Sequence, residues 1–438
     1  MNTINDSEIF KNIIHNLNNK KFNEALEKLK ILSIEYPNDN LIIKMFASVY
    51  FQKRNWQDSI DYYKKTLSFE NEKFKTYNNI GVAFFNLGKI NKSIESFKNS
   101  INENPNFDLA YNNLGISYSE LGIYRKAIDN FIYALNFNKN NHNAKKNLIN
   151  TFLVLTPENI NDHPLIKVNS EINKIGHKVN SQYYIQLEEI KEILSQSENL
   201  INNINDDIYF NETQIFRKNS TNLNCDRHFK VFNKFNVIPK YCFACYKVQI
   251  NLNNVVDLIK LFFIFSNLHL ENNNIRKCIT EIRNNIEGNY KGYIYCNGLI
   301  EANEVYKTIK KIIDKIQFKK VKILIKHGCS EFYKSYPGYQ NINFDGMQQM
   351  TYNNDWKEKE TLIDKTNPIR TTEDKKIFTQ STKGINLSDI LIIKNWINYA
   401  EMIGDYSYKK IYNKKITPNF INNILRSQLN FRKKSLLE

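Results

Sequence analysis

The side chains best suited to chemistry in this chain are thiols. The segment CDRHFKVFNKFNVIPKYCFACYKV, Cys225 to Val248, carries a Cys-x2-His followed, after thirteen residues, by a Cys-x2-Cys. Thiolate sulfur and imidazole nitrogen are the donors that tetrahedral zinc takes, and small zinc domains use this kind of spacing. Cys225, His228, Cys242 and Cys245 are therefore the first-choice ligands, with His327 and Cys329 of HGCSEF as alternates. Against a metal, CFAC lacks the Gly or Pro usual in a metal-gripping knuckle. Two further readings stay open. Cysteine is also a small apolar side chain that packs on a sheet. A Cys-x-x-Cys also serves thiol redox chemistry, but such a pair normally opens a helix that lowers its pKa, and CFAC precedes a strand-like run. His327, Cys329, Ser330 and Glu331 together offer a nucleophile beside a base, with no identifiable oxyanion donor.

The elements that must position these residues begin near Tyr241. YCFACYKVQI has strand character, and NNVVDLIKLFFIFSNL reads as a helix capped by Asn253 or Asn254. CITEIR and KGYIYC read as strands joined by the Gly-containing NNIEGNY; a second helix (NGLIEANEVYKTIKKIIDK) and a fourth strand (VKILIKHGC) follow. This β-α-β-β-α-β order predicts a ferredoxin-like α+β domain over 241–335, with helices on one face of an antiparallel sheet. It would place Cys329, Cys245, Cys296 and Cys278, in that order, along one edge of the sheet about 5 Å apart. The stretch from Cys225 to Val248 reads as a loop running into a first strand. Residues 156–240 form a helical linker region leading into that domain, with a long amphipathic helix over 183–204. Residues 336–438 form an irregular and helical C-terminal extension, with an aromatic, turn-rich loop at 336–356 and helices at 389–403 and 418–429.

Before that domain the chain repeats itself. Residues 73–106 superpose on 107–140 with Tyr77 on Tyr111, Gly81 on Gly115, Gly88 on Gly122 and Phe97 on Phe131, a period of 34 residues. Weaker copies lie at 39–72, with Ala47, Ser59 and Tyr63, and at 5–38, with Ala25 and Pro37. Small residues let two helices approach, glycines end the first helix, and aromatics fill the gap to the next copy. Residues 141–155 are the expected closing helix. The pattern resembles the tetratricopeptide repeat family, which implies an α-solenoid of helical hairpins over 1–155. The resemblance also implies a groove lined by the first helices, in which an Asn grips the backbone of an extended peptide. Asn79 and Asn113 match that position, whereas the earlier copies have Lys11 and Met45 there. A primary amide offers both donor and acceptor to a peptide unit; alternatively these are simply polar groove positions in an Asn-rich chain. Asn78, Val82, Phe85, Asn112 and Ile116 are the expected groove neighbours.

Bulk properties bound the rest. The chain has 438 residues, a formal net charge of +16, six cysteines, 13 Gly and 8 Pro, which suggests long helices, few tight turns and two or three domains. The basic excess is spread out, without an Arg-rich block or an RNA-binding aromatic signature, so a nucleic-acid partner is not expected. The longest apolar run, 255–265, falls far short of the ~20 residues that span a bilayer. The N-terminus has neither the basic start nor the apolar core of a secretory signal, so a cytoplasmic protein with thiols rather than disulfides is expected. No phosphate-binding Gly-rich loop, H-E-x-x-H or Ser-centred elbow occurs. The expected function is a protein-interaction module or adaptor with a Cys-rich effector domain. The alternative is an enzyme, transferase-like or thiol- or metal-dependent, whose repeats recruit protein substrates.

Overall fold

The protein was analysed as a computed structural model. It describes residues 8–156, 163–177, 185–204, 208–219, 223–283, 286–316, 318, 320–333, 335–340, 350–366, 380–414 and 420–437. The chain divides into two compact units, one running through Leu148 and the other holding Ile149–Asp364 and the C-terminal stretch.

The first unit is a run of helices: α1 (Glu8–Asn18), α2 (Phe22–Glu35), α3 (Asn40–Gln52), α4 (Trp56–Thr66), α5 (Lys73–Asn86), α6 (Ile90–Glu103), α7 (Asp108–Glu120), α8 (Tyr124–Phe137) and α9 (His142–Thr151). They pack as four consecutive hairpins, α1 on α2 through α7 on α8, followed by α9. Each hairpin turns at an equivalent residue. Lys20, Arg54, Gly88 and Gly122, spaced by 34, have φ of 57°, 61°, 75° and 76°. Glycine takes this left-handed backbone freely, whereas Lys and Arg take it against a steric cost. Within the hairpins, a Cβ on Gly81 would stand 2.5 Å from the Phe97 ring, and one on Gly115 would stand 2.5 Å from the Phe131 ring. The glycines are there because an aromatic lies where a side chain would go. Residues 5–7 of the first copy lie outside the described residues.

The second unit opens with α10 (Pro164–His177) and α11 (Leu187–Asn202), then β1 (Gln214–Arg217) and α12 (Cys225–Phe235). There follow β2 (Cys245–Leu252), α13 (Val255–Asn267), β3 (Arg276–Thr280), β4 (Tyr290–Asn297), α14 (Leu299–Ile316) and β5 (Lys322–His327). α15 (Trp356–Thr366), α16 (Leu387–Ile403), α17 (Phe420–Leu425) and α18 (Leu429–Leu437) complete it. Asn254 caps α13 by accepting from the Asp257 amide. The strands form one antiparallel sheet in the order β1-β3-β4-β2-β5. α13 and α14 pack on it, and Gly292 at its centre leaves room for Leu261, which a Cβ would meet at 2.4 Å. Val248, Ile250 and Ile294 are fully buried.

α16 holds this unit together. Its Asn386–Asp389 capping box starts the helix, and Asp389 receives two hydrogen bonds from Arg217 on β1, at 2.8 and 3.1 Å, with both residues buried. Trp396 donates to the Thr213 carbonyl at 2.8 Å, and Asn395 donates to the carbonyls of Phe210 and Glu212. The stretch expected as a C-terminal extension thus supplies a core helix and the anchor for β1. Among the described residues no helix is long and apolar enough to cross a membrane.

Three local expectations need correction. Cys225–Phe235 is a helix rather than a loop, bounded by Asn224 and Asn236 in left-handed conformation, and Lys240–Ala244 is a 3-10 turn rather than strand. The amphipathic helix starts at Leu187; Tyr183 and Tyr184 lie outside the described residues, as do 341–349 of the aromatic loop and 418–419 of the last expected helix. The four thiols do not share one edge. Cys278 pairs with Gly292, and Cys296, four residues further along β4, pairs with Tyr246 and so lies on the face opposite Cys245. The smallest residue of β4 sits under Leu261, and this close packing, rather than equal distance from Glu287, accompanies the observed register.

Candidate functional site

Two places gather the expected residues, one in each unit. In the helical unit, α5 and α7 are neighbouring first helices joined by amide contacts. Asn113 Nδ2 donates to Asn78 Oδ1 at 2.8 Å, and Asn147 Nδ2 on α9 donates to Asn112 Oδ1 at 2.9 Å. Asn79 Nδ2 donates to the Tyr63 hydroxyl at 3.1 Å. Asn78 and Asn112 are buried and join one repeat to the next, whereas Asn79, Val82, Phe85, Asn113 and Ile116 are half-buried. An amide has two N–H donors and an oxygen with two lone pairs, so Asn79, with this one contact, and Asn113, which also accepts from Asn112 Nδ2 at 3.5 Å, both keep capacity for a ligand. The two paired asparagines of each YNN motif thus divide the work: the first packs inward, and the second stays partly open.

In the second unit, a small cavity of ≈ 20 Å³, about enough for one water or ion, is lined by Cys225, His228, Cys242, Cys245 and Cys329, with Leu223, Phe229, Tyr241, Gly328 and Phe332. All four first-choice ligands and one alternate therefore meet here. The helix and the 3-10 turn that replaced loop and strand are what bring them together. Cys225 and His228 sit one turn apart on α12, and the turn swings Cys242 to the same side as Cys245. α12 is held in place by Arg227, which donates to Asp364 at 2.7 and 2.8 Å and to Glu360 at 2.9 Å. Glu360 also accepts from the Lys240 amide at 2.9 Å, which ties the turn to the same carboxylate. Gly328, with φ of 59°, donates its N–H to the Cys245 carbonyl at 2.7 Å and brings Cys329 to the cavity.

Burial governs the protonation of this group. It raises the thiols of Cys225 and Cys242, with neighbouring sulfurs adding to the effect, and pushes Cys245 up to about 11. Burial, followed by the Arg227 charge, pushes His228 down to about 4, and its ring stacks on Tyr241 at 5.3 Å. As they stand, Cys225, Cys242, Cys245 and His228 are neutral near pH 7. Among the described residues, no three His, Cys, Asp or Glu side chains are gathered closely enough to hold a metal ion. The second alternate, His327, is outside the cavity. It is fully buried, its Nδ1 lies 2.6 Å from the Tyr339 carbonyl oxygen, and its Nε2 lies 3.1 Å from that of Phe243. Both nitrogens face carbonyls, so His327 braces the loop after β5. Ser330 accepts from Lys326, and Glu331 pairs with Arg283 at 2.7 Å, so neither completes a nucleophile–base pair with His327.

One contact was not foreseen. Lys247 Nζ, buried on strand β2, donates to Cys329 Sγ at 3.1 Å and lies over the Tyr295 ring at 5.1 Å. Burial alone would discharge this ammonium, but its neighbours, Cys329 first, hold it protonated well above the usual lysine range. The signal for it was present in the sequence, since the alternation through CYKVQINL puts Cys245, Lys247, Gln249 and Asn251 on one face.

Residues 74–107 match the family model of the tetratricopeptide repeat. No curated protein matches the chain. Solved structures similar to it include a crystal structure of MamA, 19% identical, covering 35% of this chain and 84% of that one with a TM-score of 0.30. The first TPR of Spaghetti (RPAP3), bound to an HSP90 peptide, is 22% identical over 25% of this chain and 86% of that one, with a TM-score of 0.24. The TPR2B domain of yeast Sti1 in a pHsp70 complex is 20% identical over 24% and 83%, with a TM-score of 0.23.

Proposed function

Because residues 74–107 are a tetratricopeptide repeat and the flanking hairpins keep its period, we propose that the helical unit captures an extended peptide of a partner protein, for which the second unit is the effector. The observation that carries this reading is the half-buried row Asn79, Val82, Asn113 and Ile116, at equivalent positions on two first helices that Asn78 and Asn113 join side by side. In that groove Asn79 and Asn113 grip the peptide backbone, while Val82, Phe85 and Ile116 take its apolar side chains. Asn78 and Asn112 set the spacing of the helices beneath them. The test is capture of partners from a lysate by the full chain and by the Asn79→Ala plus Asn113→Ala variant, both checked for equal melting. A tenfold loss of one captured species is expected. Unchanged capture sinks the ladder.

A second reading, that Cys225, His228, Cys242 and Cys245 bind one zinc ion with Cys329 beside them, rests on five donors lining one cavity and requires them to draw closer than they stand. Metal binding would require the raised thiols to ionise, which a dication drives. Elemental analysis of the purified chain is expected to find about one zinc per molecule, lost in the Cys242→Ser plus Cys245→Ser variant. Metal-free protein that melts at the same temperature as metal-loaded protein ends the idea. We read the βαββαβ part as ferredoxin-like with β1 added at one edge, because the four strands from β2 to β5 alternate with helices in that order. Six free thiols suit the cytoplasm.

A further inference from the structure

One face of the second unit's sheet is crowded with cations, Lys247 and Lys291 buried and Lys277 and Lys326 half-buried. Gly292 marks the side against α13; the alternate residues project from the other side. There Lys247 on β2 stands opposite Lys326 on β5 and Tyr295 on β4, and Lys277 on β3 stands opposite Tyr293 on β4 and Phe216 on β1. Lys291 on β4 stands opposite Asn251, and Arg283 follows β3. Two carboxylates serve this group. Glu281 pairs with Arg283 at 2.6 Å and Lys291 at 3.4 Å, and Glu331 pairs with Arg283 at 2.7 Å. Three lysines remain. Among the described residues no carboxylate forms an ion pair with Lys247, Lys277 or Lys326. Lys247 meets the Cys329 sulfur, Lys326 meets the Ser330 hydroxyl, and Lys277 lies between the rings of Phe216, at 5.4 Å, and Tyr293, at 5.2 Å.

Like charges facing one another across strands destabilise a sheet. Lys247 is only 8% exposed, so solvent does little to screen it. A solubilising surface would not bury its cations, nor would it place aromatic rings beneath them. Burial, and after it the charge of Lys247, pushes Lys277 and Lys326 down to about 8. We propose that this face binds a small anion carrying at least two negative charges, its oxygens taken by Lys247, Lys277 and Lys326 and its body resting on Tyr293 and Tyr295. Two sources share that chemistry, phosphate-bearing and polycarboxylate molecules, and inorganic pyrophosphate and citrate probe them separately.

The experiment uses the full chain, with calorimetric titration and thermal melting in pyrophosphate, citrate or sodium chloride at matched ionic strength. Wild type is expected to bind one probe with one-to-one stoichiometry and to melt several degrees higher in it than in chloride. Which probe acts names the source. The Lys277→Gln plus Lys326→Gln variant, and Lys326→Gln alone as a milder change, should bind at least tenfold and about threefold more weakly. Lys30→Gln plus Lys64→Gln, which removes two exposed lysines of the helical unit, should bind as wild type does. Absence of binding by either probe overturns the proposal. So does an equal loss in the helical-unit variant, which would mean only that a basic protein attracts anions.

Discussion

At the residue scale, the hairpin turns show sequence and backbone strain side by side. The same left-handed position is Gly in the two strong repeats and Lys20 or Arg54 in the two weak ones. A non-glycine residue there costs roughly 1–2 kcal/mol, partly offset by the greater freedom a glycine loses on folding, about 0.5–1 kcal/mol. Arg54 is exposed, and its turn is closed by backbone hydrogen bonds that a glycine keeps, Arg54 N to the Phe51 carbonyl at 3.0 Å among them. Arg54→Gly should therefore stabilise the protein by about 0.5–1 kcal/mol in urea unfolding, and Gly88→Arg should weaken it by a similar amount. If Arg54→Gly is destabilising, the turn is not strained and the weak copies differ for another reason.

At the scale of elements, legibility followed the range of the interactions. The hairpins were readable because each one is specified within its own 34 residues: Gly81 and Phe97, or Gly115 and Phe131, make a fitted pair inside one copy. The alternation of β2 and the Asn254 cap of α13 are equally local. β1 is different. Four residues, QIFR, carry no signal, and the strand is anchored by Asp389, Asn395 and Trp396, more than 170 residues later, which bind Arg217 and the backbone just before the strand. α12 was legible and misread. Cys225, His228, Phe229 and Phe232 recur at helical spacing, but taking the stretch as the lead-in to a first strand turns it into a loop. The candidate thiol site followed suit: its membership was visible in residue type, and its geometry depended on the helix and on the 3-10 turn. The Lys247–Cys329 contact joins strand β2 to the residue after Gly328, a juxtaposition that only the sheet order creates.

For the whole molecule, the basic face has a measurable consequence for stability. The protein carries +16 overall, so falling charge at high pH relieves repulsion everywhere and cannot by itself reveal one site. The buried lysines add a specific contribution. Lys277, Lys291 and Lys326 lie at about 8 in the folded protein, each lowered first by burial, against about 10.4 for a lysine in an unfolded chain. Between those values the unfolded chain binds more protons, so this contribution makes stability rise with pH; the penalty is complete below about 8 and gone near 10.4. Thiols act oppositely in part of the same window. Cys245, raised to about 11, holds its proton longer when folded than when unfolded, and that stabilising effect is lost as pH rises toward 11. The two are separated by difference. Lys277→Gln should be more stable relative to wild type at pH 7 than at pH 9.5, because only the charged lysine is penalised and the thiols are common to both proteins. Urea unfolding at pH 7, 8.5 and 9.5 measures that gap; a gap that stays constant or widens with pH means Lys277 is adequately solvated and the face is not short of negative charge. Pyrophosphate or citrate, whichever binds, should narrow the gap at pH 7 by supplying the missing charge to the wild type.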